Sequence, residues 1–214
     1  MPAVEVRPAL PTEFERIGEL TASPYLDEGH ADEDYAATLR DVVSRAAAAT
    51  VLVALLDGRI VGSVTVATEG GAYAENSDPG DAVIRMLVTD PAARGAGVGT
   101  ALMDQALQRA REEGCGAVRL STQESMTAAH RIYERLGFTR TPDRDWTPVP
   151  GVDLLTYVLP LVFCGWCGKP GTHSECADRL EPPRYCTQCR RRMVVQVHPT
   201  GWSATCVQHG ITSS

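Results

Sequence analysis

The chain has 214 residues, 43% of them hydrophobic, and a formal net charge of −7, enough for one substantial core plus a small appendage and too apolar for general disorder. Charge is unevenly spread: residues 1–160 hold 14 Lys and Arg against 24 Asp and Glu (−10), whereas residues 161–214 hold 6 against 3 (+3). No apolar run approaches the ~20 residues of a membrane helix, and MPAVEVRPAL lacks a basic segment followed by an apolar one, so the expectation is a cytoplasmic chain with no membrane partner.

VEVRPA reads as a short strand, followed by helical LPTEFERIGELTAS, with Phe14, Ile17 and Leu20 at helical spacing, and by a second helical stretch, DEDYAATLRDVVSRAAAA. TVLVALLDG and RIVGSVTVAT flank Asp57-Gly58, a strong hairpin signal. AVIRMLV is a further strand. GVGTALMDQALQRAREEG then reads as an amphipathic helix, with Val98, Leu102, Met103, Ala106, Leu107 and Ala110 on one face and Gly114 as its stop. AVRLSTQ reads as a strand and MTAAHRIYERLG as a helix with Ala129, Ile132, Tyr133 and Leu136 on one stripe. FTRT and VDLLTYVL form a last strand pair, separated by PDRDWTPVPG, whose prolines predict a loop. This order describes an α/β fold, a mixed twisted sheet covered by helices.

Between the fourth strand and the amphipathic helix lies Arg94-Gly95-Ala96-Gly97-Val98-Gly99. Glycines let a ligand approach the backbone, and the unpaired N–H groups of a first helical turn attract anions. A tight strand-to-helix turn is the plainer alternative for such a loop. A Rossmann reading is disfavoured, because the next strand, VRLSTQES, lacks the expected acidic end before Glu124.

A second motif, AAHRIYERLGF, decides the matter, and with it residues 4–160 resemble the GNAT acyltransferase superfamily. The pattern of Arg or Gln, two residues, Gly, one residue, then Gly or Ala matches Arg94, Gly97 and Gly99, and the Tyr-Glu-x-x-Gly-Phe close matches Tyr133, Glu134, Gly137 and Phe138. The resemblance implies acetyl-CoA or another acyl-CoA as cosubstrate, with pyrophosphate on the backbone of Gly95 to Thr100, including Gly97, Val98 and Gly99, and pantetheine along Leu87 and Val88. It also implies an amine acceptor, either a small molecule or a protein. Such an amine must lose a proton and the departing thiolate must gain one. Tyr133 is the expected acid; a core aromatic is the alternative. Where many relatives carry a basic Glu this chain has Val83, leaving Asp81, Glu124 and Asp145 as unranked bases, and Met126 stands where an Asn often opens the Tyr-bearing helix.

Six of the seven cysteines fall after residue 161, as Cys164-x2-Cys167, His173-x2-Cys176, Cys186-x2-Cys189 and Cys206-x2-His209. Two intervening residues let a tight turn present both side chains to one ion, and eight ligands fill two four-coordinate zinc sites. An iron-sulfur cluster, disulfides and a nucleic-acid-binding zinc ribbon built on Arg190, Arg191 and Arg192 are alternatives of lower weight. Gly168 eases the first knuckle, while Arg190 makes the equivalent place in the second less ideal, and His30, His130 and His198 show no partner pattern. Residues 163–210, through the cysteine spacing, RRMVVQV and the GW turn, resemble actinobacterial biotin synthase auxiliary proteins, which implies biotin synthase as a partner in making biotin from dethiobiotin. The expected organisation is an acyl-CoA N-acyltransferase domain at 1–160 and a Cys/His-rich metal-binding module at 161–214.

Overall fold

Asp57 and Gly58 take φ of 50° and 74°, the doubly positive turn whose twist suits a two-residue hairpin. In the computed structural model of the chain, which describes residues 3–68, 71–177 and 181–213, that turn joins β2 (Thr50–Leu56) to β3 (Arg59–Ala67). β1 (Glu5–Pro8) pairs with β2, and β4 (Ala82–Thr89) with β3, all antiparallel. β5 (Ala117–Gln123) then lies parallel to β4, and the sheet runs β1-β2-β3-β4-β5-β8-β6, with β6 at Thr139–Arg140 and β8 at Val152–Pro160. The chain divides into two compact units, Met1–Leu159 and Pro160–Ser214.

The β4–β5 pair is the important irregularity. Its pairing covers Ala82 to Ile84 against Val118 to Leu120, although the strands continue to Thr89 and Gln123. On the other side of β4, Ser63 faces Val88 while Thr65 faces Arg85, so Met86 and Leu87 share the place opposite Val64. This is a β-bulge, with Met86 at a φ of 54°, and it bends β4 away from β5. A wedge opens between two parallel strands.

Helices α1 (Phe14–Asp27), α2 (Glu33–Arg40), α3 (Val42–Ala48), α4 (Val98–Glu112) and α5 (Thr127–Arg135) complete this unit. The six apolar residues predicted for one face of α4 are all buried. The long second helix expected from sequence is two helices, because Asp41 leaves helical geometry (ψ 71°) and its side chain accepts a hydrogen bond from Ser44 N at 3.0 Å. The proline-rich stretch expected as a loop contains β7 (Trp146–Val149), which pairs with β8. Pro148 has no N–H for a ladder, and the register shifts between Trp146 and Val149, where it lies.

In the second unit two knuckles share one design. Cys164 N donates to Lys169 O (2.8 Å) and Gly168 N to Cys164 O (2.9 Å), while Cys186 N donates to Arg191 O (2.9 Å) and Arg190 N to Cys186 O (2.9 Å). Isolated bridges Phe163–Pro170 and Tyr185–Arg192 close both. Gly168 (φ 71°) and Arg190 (φ 62°) occupy the same left-handed corner, so Arg190 accepts a strain that glycine avoids. A helical turn, α6 (Ser174–Ala177), follows the first knuckle, and β9 (Val194–His198), β10 (Gly201–Cys206) and β11 (Gly210–Ser213) form an antiparallel sheet after the second.

Candidate functional site

After β4 the Asp90 carboxylate accepts from Ala92 N (2.9 Å) and caps a 3-10 turn, Pro91–Ala93. Gly95 and Gly97 then take φ of 83° and 81°, and Gly97 is the N-cap of α4. The bond from Ala101 N to Gly97 O (3.0 Å) opens the helical ladder, so the first-turn N–H groups of Val98, Gly99 and Thr100 have no acceptor within it. A Cβ at Gly99 would stand 2.9 Å from Ile132 Cδ1 on α5, so a larger residue there would displace the end of that side chain.

A cavity of about 550 Å³ lies against this loop. Leu87, Val88, Arg94, Gly95, Gly97, Val98, Gly99 and Thr100 all line it, together with Tyr25, Glu28 and His30 from the α1–α2 segment and Ser125, Met126, Ile132 and Arg135 around α5. Its form suits a long ligand with an anionic middle: backbone donors and a helix N-terminus at one part, apolar strand surface at another. Arg94 is ion-paired with Glu28, whose carboxyl is held below the usual carboxylate range chiefly by that hydrogen bond. Among the cavity's cations, Arg94 is thus already shared with an acid.

Tyr133 is buried, 6% exposed, and is not among the residues lining the cavity. Its ring lies 5.9 Å from those of Phe138 and Tyr157, and burial raises its phenol pKa, keeping the hydroxyl protonated. Tyr25, which does line the cavity, has its phenol pKa likewise raised, mainly by burial.

The three acids considered as bases lie elsewhere. Asp81 pairs with Arg119 (2.6 Å), Asp145 pairs with Arg140 (2.7 Å), and Glu124 lines a separate depression with Asp153. His30 was missed from sequence for lack of a partner pattern. Its Nδ1 is 3.3 Å from Ser125 Oγ and its Nε2 3.4 Å from Glu28 Oε2, all three residues lining the cavity. His30 O accepts from Gln123 Nε2 (2.8 Å) and His30 N donates to Tyr25 O (2.7 Å), which fixes the imidazole's backbone. The short separation of Glu28 and His30 was the sole local signal; Ser125 is 95 residues away. Met126 provides no side-chain cap for α5, and its sulfur accepts from Thr122 Oγ1 at 3.5 Å.

The second unit gathers all eight expected ligands into two sets, Cys164, Cys167, His173 and Cys176, and Cys186, Cys189, Cys206 and His209, with donor atoms within 4.8 Å of one another in each set. Cys167 Sγ lies 3.0 Å from His173 Nδ1, and Cys189 Sγ lies 3.7 Å from Cys206 Sγ. A tetrahedron with metal–sulfur bonds of about 2.3 Å has edges of about 3.8 Å, whereas a disulfide requires about 2.05 Å. The donor sets therefore fit one ion each. Backbone N–H groups, first those of Cys167 and Gln208, lower the thiol pKa values of Cys164 and Cys206, favouring the thiolate that a metal needs.

Comparison with known proteins agrees with both halves. The acetyltransferase (GNAT) family matches residues 14–138, and the biotin synthase auxiliary protein family matches residues 193–214. Biotin synthase auxiliary protein of Mycobacterium tuberculosis is 49% identical over 53 residues, which are 25% of this chain and 67% of that protein. Mycothiol acetyltransferase of Cellulomonas flavigena is 38% identical over 92 residues, 42% of this chain but only 26% of that one. Among solved structures, a GNAT acetyltransferase of Staphylococcus aureus superposes with a TM-score of 0.61 at 18% identity, over 74% of this chain and 99% of that one. A putative acetyltransferase from Salmonella typhimurium, solved with its cofactor acetyl-CoA, gives 0.55 at 20% identity, over 74% and 94%. No described helix is long and apolar enough to cross a membrane. The chain belongs to the GNAT acetyltransferase family and ends in a segment of the biotin synthase auxiliary protein family.

Proposed function

We propose that residues 1–160 transfer an acetyl group from acetyl-CoA to an amine. The observation that carries this reading is that the glycine loop and the bulged strand, each expected from sequence to touch acyl-CoA, border one cavity. Pyrophosphate is held by the N–H groups between Gly95 and Thr100 and by Arg94, and pantetheine runs along Leu87 and Val88. The acceptor ammonium gives a proton to Ser125 Oγ as that hydroxyl passes its own to His30 Nδ1, and Glu28 holds the resulting imidazolium at Nε2. The free amine attacks the thioester carbonyl. As the tetrahedral adduct collapses the carbon–sulfur bond breaks, and the thiolate takes a proton from Tyr133, or from Tyr25, the cavity-lining phenol of the two. The surplus proton of the new amide nitrogen passes through solvent to restore that phenol. His30 returns its proton to solvent. The test is acetyl-CoA binding by calorimetry and CoA release with an amine panel; absence of acetyl-CoA binding by the folded chain overturns the reading.

For residues 161–214 we propose a module stapled by two zinc ions, one held by Cys164, Cys167, His173 and Cys176 and the other by Cys186, Cys189, Cys206 and His209. When bound, each ion supplies a structural crosslink. Donor atoms so near one another suit a single ion better than the several irons and sulfides of a cluster. The match to the auxiliary family supports biotin synthase as the module's partner in dethiobiotin conversion. Full-length protein added to a reconstituted biotin synthase reaction should raise biotin yield, and an unchanged yield overturns that assignment.

A further inference from the structure

Arg45, on α3, is 0% exposed, and its Nε and Nη2 are the only buried side-chain nitrogens or oxygens among the described residues without a hydrogen-bond partner. Its remaining nitrogen, Nη1, reaches only the Met86 sulfur (2.6 Å), a weak acceptor. No described carboxylate hydrogen-bonds to it; Asp41, at the N-cap of its helix, accepts instead from Ser44 N (3.0 Å). Burial lowers the Arg45 pKa, and Tyr73, Tyr35, Tyr25 and Asp41, which act in the opposite direction, offset that only in part, so a desolvated guanidinium with an unbonded fork carries a net penalty.

The surroundings of this cation have the makings of a recognition site. Met86 is the bulge residue of β4, and Tyr25, Tyr35 and Tyr73 pack against the cluster that it forms with Ala22, Ala36 and Leu39. Arg85, one residue before Met86, sits over the Tyr73 ring (5.9 Å) and pairs with Glu75. Arg85 and the three tyrosines are half-buried, so the group extends from the core to the surface. Tyr25 belongs both to this group and to the wall of the acyl-CoA cavity. Tyr25 therefore links this group to the wall of the cavity.

We infer that the acceptor amine bears a carboxylate, which the side-on fork of Arg45 Nε and Nη2 grips, with Arg85 flanking it. Those two nitrogens match the two oxygens of a planar carboxylate in a bidentate pair, and the surrounding apolar rings strengthen the pair by excluding water. The inference rests on the amine-acetyltransferase reading and names its substrate class: small amino acids rather than polyamines or unfunctionalised amines.

The test measures CoA release by the full chain with α-amino acids, their primary amides and phosphoethanolamine. Acids should exceed amides about 100-fold in kcat/KM, about 2.7 kcal/mol. Arg45→Met keeps an apolar side chain of similar length; it should abolish that preference and raise KM for acids while the acetyl-CoA Kd, which also reports folding, stays unchanged. Arg85→Met, on the half-exposed flank, should reduce the preference in the same direction. A separate readout, saturation-transfer NMR with a mixture of N-acetyl-α-amino acids and with their amides, does not require turnover. Arg45-dependent binding of the acids without acetylation of any amine keeps the carboxylate site and rejects the transferase reading. Equal turnover of acids and amides, a preference for phosphoethanolamine, an undiminished acid preference in folded Arg45→Met, or neither turnover nor N-acetyl acid binding overturns the inference.

Discussion

Gly97→Ala separates backbone strain from ligand contact at the glycine loop. Gly97 has a φ of 81° and nothing within 4 Å of where a Cβ would stand. An alanine there meets no steric clash within the protein but must hold a left-handed backbone, at ~1–2 kcal/mol. Reduced freedom of the unfolded chain returns about 0.4–1 kcal/mol, leaving a net loss of about 1 kcal/mol, or roughly 2–4 °C for a unit of this size. Gly114, at the other end of α4, is the matched control: its φ is 74°, its Cβ position is equally open, and it does not line the cavity. Gly114→Ala should therefore lose the same stability. Only Gly97→Ala should weaken acetyl-CoA, because in the proposed placement the added methyl stands where phosphate oxygens approach the backbone. Losing one charge-assisted hydrogen bond, ~1.5–3 kcal/mol, raises Kd roughly 10- to 150-fold. The assay is thermal unfolding of both variants beside calorimetric titration with acetyl-CoA. Equal affinities in the two variants would refute the placement of pyrophosphate at this loop.

Tyr133→Phe should leave the acetyl-CoA Kd unchanged and lower kcat by about 100-fold or more if this phenol donates the proton, and comparison with Tyr25→Phe decides between the two. Stripping metal with a chelator under reducing conditions should expose the amides of β9, β10 and β11 to hydrogen exchange while the acyltransferase unit keeps its melting point. Four of the second unit's buried side chains are ligand cysteines, and each structural zinc is worth about 10–16 kcal/mol; unchanged protection would reject the two-zinc reading. The hydrogen bonds from Arg140 lower the Asp145 pKa. Its contribution is therefore complete above the unfolded carboxylate pKa of about 3.9 and lost as pH falls through the lower folded value. Acid titration of wild type against Arg140→Met should show a shallower loss of stability below about pH 4 in the variant, and identical curves would remove Asp145 from the acid transition.

The hairpin at Asp57-Gly58, the buried face of α4, the glycine loop and the pairing of ligands in the tail were legible from the residues in order, because each depends on positions a few places apart. Helical periodicity and two-residue ligand spacing are local geometry, and local geometry is written in local sequence. The rest came from contacts between distant segments. Tertiary structure divided eight ligands into two sets, showed that Arg190 adopts the corner that Gly168 takes in the first knuckle, and let β8 draw a proline-containing stretch into the sheet as β7. It also engaged Asp81 and Asp145 with arginines and placed His30 against Ser125 at the cavity wall, contacts between distant segments that no spacing rule encodes. Arg45 is the sharpest case: in sequence it lies in the last turn of a short helix, and only tertiary burial, with its Nη1 against the Met86 sulfur, leaves its charge enclosed with two donors unspent.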